Sequence, residues 1–351
     1  MQVAYKDITD KALDLYPLGH EELTRLILPK DEDERELLHS SARTLRKRFT
    51  GSLIFTYGFI YLSTICRNDC SFCFYRKSNG KSHRYRKTHE EVIRAAKSLA
   101  EQGVNLIDLT MGEDPDVEKR SYLEDTATLI REVCQHTSMP VMISPGLISS
   151  YGLELFREAG ALFYACYQET HSPSLFGLLR CGQSYAARWS AKKKAKKTGL
   201  KVEDGVLCGV GESVKDLANS ILSMKELGAA QVRAMAYVPP PTGKKENSSP
   251  SKAARRRELD MIAALRLSFP NALIPASLDV EGVAGLLDRL NAGANLITSF
   301  VPASQGLAGV AQAALDIENE SRSLHHVLPL LEQLGLTAAS PQEYIEKVKS
   351  L

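Results

Sequence analysis

A chain of 351 residues, 44% hydrophobic and 25% charged, has the composition of an ordinary globular protein and the length of one α/β barrel or two smaller domains. Its formal net charge of +2 excludes a global field that would recruit nucleic acid or an anionic membrane. No uninterrupted apolar run approaches membrane-spanning length, and the opening stretch Met1-Gln2-Val3-Ala4-Tyr5-Lys6-Asp7 lacks a signal-peptide apolar core. Seven cysteines form an odd set without a disulfide framework, so the expected compartment is a reducing cytoplasm.

Residues 1–50 read as helices with charged faces, for example Glu32 to Arg48, and are expected to cap a barrel end. From residue 51 apolar strand-like runs alternate with amphipathic helices. The expected strands are 57–64, 105–111, 140–144, 162–168, 203–209, 231–238, 272–279 and 294–300. Thr88-His89-Glu90-Glu91 is a capped start for the first intervening helix, which ends near Gly103. Further helices are expected at 118–137, 149–159, 184–198, 214–227, 251–268 and 281–291. Eight βα units in series predict a parallel TIM-type (β/α)8 barrel. The barrel is expected to occupy 51–320, between an N-terminal helical cap (1–50) and C-terminal closing helices (321–351), all in one structural unit. Within the tail, Ser340-Pro341 begins the last helix. The one long polar excursion, 239–250, reads as a surface loop, with a lid as the alternative. The basic run Lys192 to Lys197 closes a helix before Gly199, where cations favour the helix C-terminus, and reads as solvated.

The chemistry begins at Cys66-Arg67-Asn68-Asp69-Cys70-Ser71-Phe72-Cys73, directly after the strand-like run Ile60 to Ile65. Thiolates hold iron–sulfur clusters, and four-iron clusters usually take four protein ligands. Here the next cysteine is Cys134, so a three-thiolate site would leave one iron open to a small molecule. Structural zinc, the competing reading, wants four ligands, commonly from two pairs, and no second pair is present.

Strand parity adds a second observation, because alternate residues of a barrel strand point inward. Val232, Ala234, Ala236 and Val238 suit the helix-facing side, which turns Gln231, Arg233, Met235 and Tyr237 into the barrel. The same rule turns Asp108, Thr110, Gly112, Ser277 and Asp279 inward. Barrel interiors are normally filled by branched apolar side chains. Asp108, Arg233 and Asp279 there must pair with one another or with a ligand, since an unpaired buried charge is too costly.

The cysteine spacing, with the aromatic Phe72 between the last two, resembles the signature of radical S-adenosylmethionine (SAM) enzymes. Met111-Gly112-Glu113-Asp114-Pro115 is similar to their Gly-Glu motif, which binds the methionyl ammonium of SAM. Gly205-Val206-Leu207-Cys208-Gly209-Val210-Gly211-Glu212 looks like their fifth-strand glycine motif beside the adenine. The resemblance implies one [4Fe–4S] cluster on Cys66, Cys70 and Cys73, with SAM contacts from Phe72, Glu113, Ser144, Glu169 and Arg188. Arg188, 24 residues before Glu212, matches the arginine that pairs with the SAM carboxylate in the biotin synthase-like branch. The second cluster of biotin synthase is not expected, because Thr110, Met142, Glu203 and Ser277 stand near its ligand positions. Within the branch the chain is most similar to the methylornithine synthases of pyrrolysine biosynthesis. That likeness implies isomerisation of L-lysine to (3R)-3-methyl-D-ornithine. The route would be hydrogen abstraction by a 5′-deoxyadenosyl radical, then fragmentation and recombination, with an external one-electron reductant. Asp108, Arg233, Ser277 and Asp279 would hold the substrate: one arginine and two aspartates suit one carboxylate and two ammonium groups. The alternatives are a cofactor-assembly enzyme, hydrogenase maturase-like or sulfur-inserting, and a non-enzymatic iron–sulfur scaffold.

The remaining candidates read as structural. Cys134, Cys166, Cys181 and Cys208 are expected to behave as small buried hydrophobes. His325-His326 begins a helix, His171 stands alone in a loop, and Trp189 packs a helix on the barrel.

Overall fold

The computed structural model describes residues 4–239, 249–302 and 322–351. Eight parallel strands alternate with helices: β1 (Leu53–Ser63), α4 (His89–Glu101), β2 (Leu106–Met111), α5 (Arg120–Thr137), β3 (Val141–Ser144), α6 (Ser150–Glu158) and β4 (Ala161–Ala165). Then come α7 (Pro173–Leu179), α8 (Tyr185–Lys197), β5 (Lys201–Cys208), α9 (Val214–Leu227), β6 (Gln231–Ala236), α10 (Lys252–Ser268), β7 (Pro275–Ser277), α11 (Leu286–Asn291) and β8 (Leu296–Phe300). The strands pair in the order β6-β5-β4-β3-β2-β1-β8-β7. A single parallel bridge between Gln231 and Leu273 links the two ends, with Val232 N–H donating to Leu273 O at 3.0 Å. The result is the nearly closed TIM-type barrel that the βα alternation predicted. β7 is shorter than its sequence run because Pro275 has no N–H to donate and the Asn295 side chain takes the Ile274 N–H at 2.8 Å.

Local chemistry sets the helix starts. Thr88 and Glu91 form the expected capping box on α4, and Ser213 with Asp216 repeats it on α9. The preceding helices α1 (Tyr5–Leu13), α2 (His20–Leu26) and α3 (Glu32–Thr50) join the outer layer. There Arg35 of α3 bonds Asp260 of α10 at 2.9 Å, and α2 lies against α9. After β8 the described chain resumes with α12 (Leu324–Gln333) and β9 (Thr337–Ala338), a short strand beside the start of β1. α13 (Pro341–Lys349) is capped by Ser340 as expected. Most of the expected 239–250 loop, and residues 303–321 of the tail, lie outside the described residues.

The interior is layered. Its lower part is apolar, with Phe55, Met142, Phe163, Leu273 and Leu296 packed together. Tyr344 of α13 seals this end, its ring 5.9 Å from that of Phe55 in an edge contact. The upper part, toward the C-terminal strand ends where barrel active sites sit, carries the charges.

Candidate functional site

The cysteine loop leaves β1 and folds over the rim of β2. Gly112 permits this: a Cβ there would run into the main-chain carbonyl of Ile65 and the Cβ of Cys66. The far side of the loop is fastened by Arg84, whose guanidinium donates to the carbonyls of Thr64, Tyr75, Arg76 and Asn79. Cys70 is buried and Cys66 and Cys73 are half-buried. Burial raises the Cys66 thiol pKa, opposed by the main-chain N–H groups of Asn68 and Glu113. Burial, helped by the neighbouring Cys70, pushes Cys73 up to about 12 against the Tyr75 N–H. Gln183 Nε2 lies 3.0 Å and Arg180 Nη1 3.6 Å from Cys70 Sγ.

Each thiol therefore has N–H donors directed at it, the environment that stabilises and tunes cluster sulfurs. Among the described residues no three His, Cys, Asp or Glu side chains converge on one metal-ion position. The three thiols could hold a [4Fe–4S] cluster with one iron left open, and iron binding would displace the protons that burial favours on Cys66 and Cys73.

Beside the loop, the Glu113 carboxylate is held from three sides. Arg67 Nε lies 2.9 Å from Oε1, the Leu147 N–H donates to Oε2 at 3.0 Å, and Arg188 Nη1 stands 3.7 Å away. Arg188 also donates through Nε to Tyr167 O at 2.7 Å. Gly146, at φ +77°, lets the chain pass beside Glu113, since a Cβ there would lie 2.6 Å from Oε2. Glu169 has φ +66°, a strained left-handed conformation for a residue with a side chain. It is kept by main-chain bonds on both sides, Glu169 N–H to Gly205 O at 3.1 Å and Leu207 N–H to Glu169 O at 2.9 Å. Burial raises its pKa, opposed by Arg180 Nη2 at 2.7 Å. The Arg180 guanidinium also stacks 5.2 Å over the Phe72 ring.

A cavity of about 260 Å³ opens between this rim and the barrel interior, and Phe72, Cys73, Asp108, Ser144, Glu169, Arg233 and Asp279 line it. Asp108, Thr110, Arg233, Met235, Tyr237 and Asp279 line it as strand parity predicts, but Ala236 and Val238, expected on the helix-facing side, line it as well. Arg233 Nε bonds Glu203 Oε1 at 2.9 Å, Nη2 donates to Tyr57 Oη, and the guanidinium lies 5.4 Å from the Tyr167 ring. Among the described residues its Nη1 meets only the weak acceptor Met235 Sδ, at 3.7 Å. Asp279 accepts from Ser299 Oγ at 2.8 Å and Ser277 Oγ at 3.2 Å, and pairs with Arg322 at 3.3 Å. Asp108 accepts from Ser144 Oγ at 2.9 Å. Burial, and then the charge of Glu203, raise its pKa to about 8. Ser277 does not line the cavity but bonds Asp279 and Ser299, which do, and Cys66, Cys70, Glu113 and Arg188 are likewise not among its lining residues.

Sequence reasoning missed four of these residues. Arg180 and Gln183 follow α7, a helix it did not foresee. Arg67 lies inside the cysteine motif but was given no role. Glu203 was placed only as a substitute for a cluster ligand, although it shares an inward register with Gly205. Three readings need correction. Lys192 is fully buried against Asp204, because it lies one turn beyond Arg188 on the inner face of α8. His171 is not solitary: its Nε2 lies 3.2 Å from Asp204 Oδ2. Of the four remaining cysteines only Cys166 and Cys208 are buried; Cys134 is half-buried and Cys181 exposed, since α7 ends there.

Comparison with known proteins agrees with this fold. Residues 60–223 match the radical SAM superfamily. The chain is 40% identical over 342 residues to a 3-methylornithine synthase of Methanosarcina acetivorans, covering 95% of this chain and 94% of that one. A crystal structure of methylornithine synthase superposes with a TM-score of 0.88 at 38% identity, covering 97% of this chain and 99% of the other. The [FeFe] hydrogenase maturase subunit HydE of Thermotoga maritima is 28% identical over 81% of this chain and 82% of its own. The chain belongs to the 3-methylornithine synthase family of the radical SAM superfamily.

Proposed function

We propose that the protein isomerises L-lysine to (3R)-3-methyl-D-ornithine. The observation that carries this reading is the cavity itself: Arg233 and Asp108, both buried, with the partly exposed Asp279, beside the loop of three cysteines. When bound, the cluster and SAM would supply radical abstraction of a substrate hydrogen atom. Cys66, Cys70 and Cys73 would hold the cluster. Glu113 and Arg188 would take the ammonium and carboxylate of SAM, with Phe72, Ser144 and Glu169 along its length.

The protein's own groups hold the substrate. Arg233 is fixed in plane by Glu203 and Tyr57, which leaves Nη1 to grip the carboxylate. Asp279, already oriented by two serine hydroxyls and paired with Arg322, takes one ammonium, and Asp108 with Ser144 takes the other. If the Cα–Cβ bond of lysine breaks and re-forms at a neighbouring carbon, both fragments stay in register only when anchored at each end. Tyr57, Tyr61, Tyr75 and Tyr167 line the cavity and would shield the fragments from water. An external one-electron donor would reduce the cluster before turnover begins, the isomerisation itself being redox-neutral. No helix among the described residues is long and apolar enough to cross a membrane, which suits a small soluble substrate.

The test is anaerobic reconstitution with iron, sulfide, SAM and lysine, followed by product analysis. A product of unchanged mass and branched skeleton is expected. SAM cleavage indifferent to lysine would refute the reading. Arg233→Met and Asp279→Asn should keep cluster and SAM binding yet eliminate lysine turnover.

A further inference from the structure

Behind the barrel wall lies a second buried charged cluster, on the opposite face of β5 from Glu203. Asp204 points outward between Val202 and Val206, into a layer that is otherwise apolar. Its Oδ2 meets Lys192 Nζ of α8 and His171 Nε2, all three side chains being fully buried. Its Oδ1 accepts the main-chain N–H groups of Gln168 and Gly205, both at 2.8 Å. Trp189 covers the group: its ring lies 5.2 Å from Lys192 Nζ and 5.7 Å, edge on, from His171. One carboxylate thus ties together β5, helix α8 and the segment 167–171.

Stability alone gives little reason for such a cluster, since buried ion pairs are often replaceable by well-packed apolar residues at no loss. Geometry gives a better one. Lys192 is one helical turn beyond Arg188, so pinning it fixes the rotation of α8 about its axis. That rotation directs Arg188 to Tyr167 O at 2.7 Å and toward Glu113 at 3.7 Å. The bonds to Gln168 and His171 fix the other participant, the strained segment that carries Glu169.

We propose that Asp204, Lys192 and His171 form a positioning cluster that sets Arg188 and Glu169 in place for the methionyl end of SAM. This rests on the reading that Arg188 and Glu169 contact SAM. The test uses reconstituted holoenzyme with Asp204→Asn and Lys192→Met combined, which removes both charges and keeps an acceptor for the two main-chain N–H groups. Iron content and thermal midpoint should stay close to wild type. SAM affinity should fall by about tenfold or more, the scale seen when groups supporting a ligand shell are removed. Adding Arg188→Met should then cost less than it does in the wild-type background, because the cluster acts through Arg188. A folded, iron-loaded double variant with unchanged SAM affinity overturns the proposal. Wild-type holoenzyme whose SAM affinity ignores Arg188→Met overturns the reading beneath it instead. Hydrogen exchange on the wild type needs no variant. SAM should protect 167–171 and 185–192 together, and protection of one segment without the other also overturns the proposal.

Discussion

Lysine binding should release a proton, and Asp108 is the residue that decides it. Its side chain lies on the inner face of β2, buried, with one hydroxyl donor in Ser144 at 2.9 Å. Burial, and then Glu203, raise its pKa to about 8, so the carboxyl of the empty barrel is mainly neutral at pH 7. An ammonium group pairs with the anion, so binding must first ionise it. At pH 7 only about a tenth of the molecules are ionised, and each further unit downward costs another factor of ten, somewhat over 1 kcal/mol. The dissociation constant for lysine should therefore fall nearly tenfold per unit between pH 6 and pH 7, then level off as pH passes about 8. Calorimetry of SAM-loaded, anaerobic protein in buffers of different ionisation enthalpy measures the proton count directly. Asp108→Asn should bind lysine weakly, with the pH dependence lost. Stability follows the opposite course. The folded state holds a proton that the unfolded chain gives up near the ordinary aspartate value, so this group's contribution declines as pH rises from about 4 to about 8. A lysine affinity that is flat from pH 6 to 8, with no proton released, would refute this reasoning.

Other expectations concern the rim and the interior. Glu113→Gln keeps the shape of the side chain and loses its charge, and should weaken SAM binding by about 1.5–3 kcal/mol, the value of a charged hydrogen bond. Arg180→Met removes a cation 3.6 Å from Cys70 Sγ, and potentiometry should find the cluster harder to reduce. Gly112→Ala forces a Cβ against the Ile65 carbonyl and should cost about 1–3 kcal/mol in a denaturant titration, or displace the cysteine loop and lower iron content. Glu203→Gln leaves Arg233 buried without its counter-ion. It should raise KM for lysine and also move the Asp108 transition to lower pH, since one of the charges that raise it is gone.

The barrel was legible because both faces of its strands carry information. Outward residues such as Ile107, Leu109, Val232 and Ala234 are small or branched and apolar, and the inward residues between them are not. The cysteine loop was legible because its chemistry is local. What escaped depends on contacts between distant elements. The helix α7 is only seven residues, Pro-Ser-Leu-Phe-Gly-Leu-Leu, too short to show a period. Missing it removed the one element that carries Arg180 and Gln183 to Cys70. The lysine run illustrates a different limit. Lys192 and Lys193 are adjacent and chemically identical, yet one is fully buried and the other pairs with Glu226 at the surface at 2.8 Å. Only the angle around α8 separates them, and a charge run masks that angle.

Glu203 and Asp204 are neighbours on β5, and the two-residue period of a strand sends them to opposite sides of the wall. The inner one fixes the plane of Arg233, the group assigned to the substrate carboxylate. The outer one fixes α8, which carries the arginine assigned to SAM. Gly205 follows, where a Cβ would lie 2.9 Å from that of Arg233, so the strand cannot shift along β6 without a collision. One stretch of three residues thus sets the distance between the two grips. Radical chemistry needs that distance held, because the hydrogen atom must pass between molecules bound at different sites. A slip of one residue in β5 would exchange the roles of the two acids and release both arginines at once, so the register of β5 is as much a functional element as either charge.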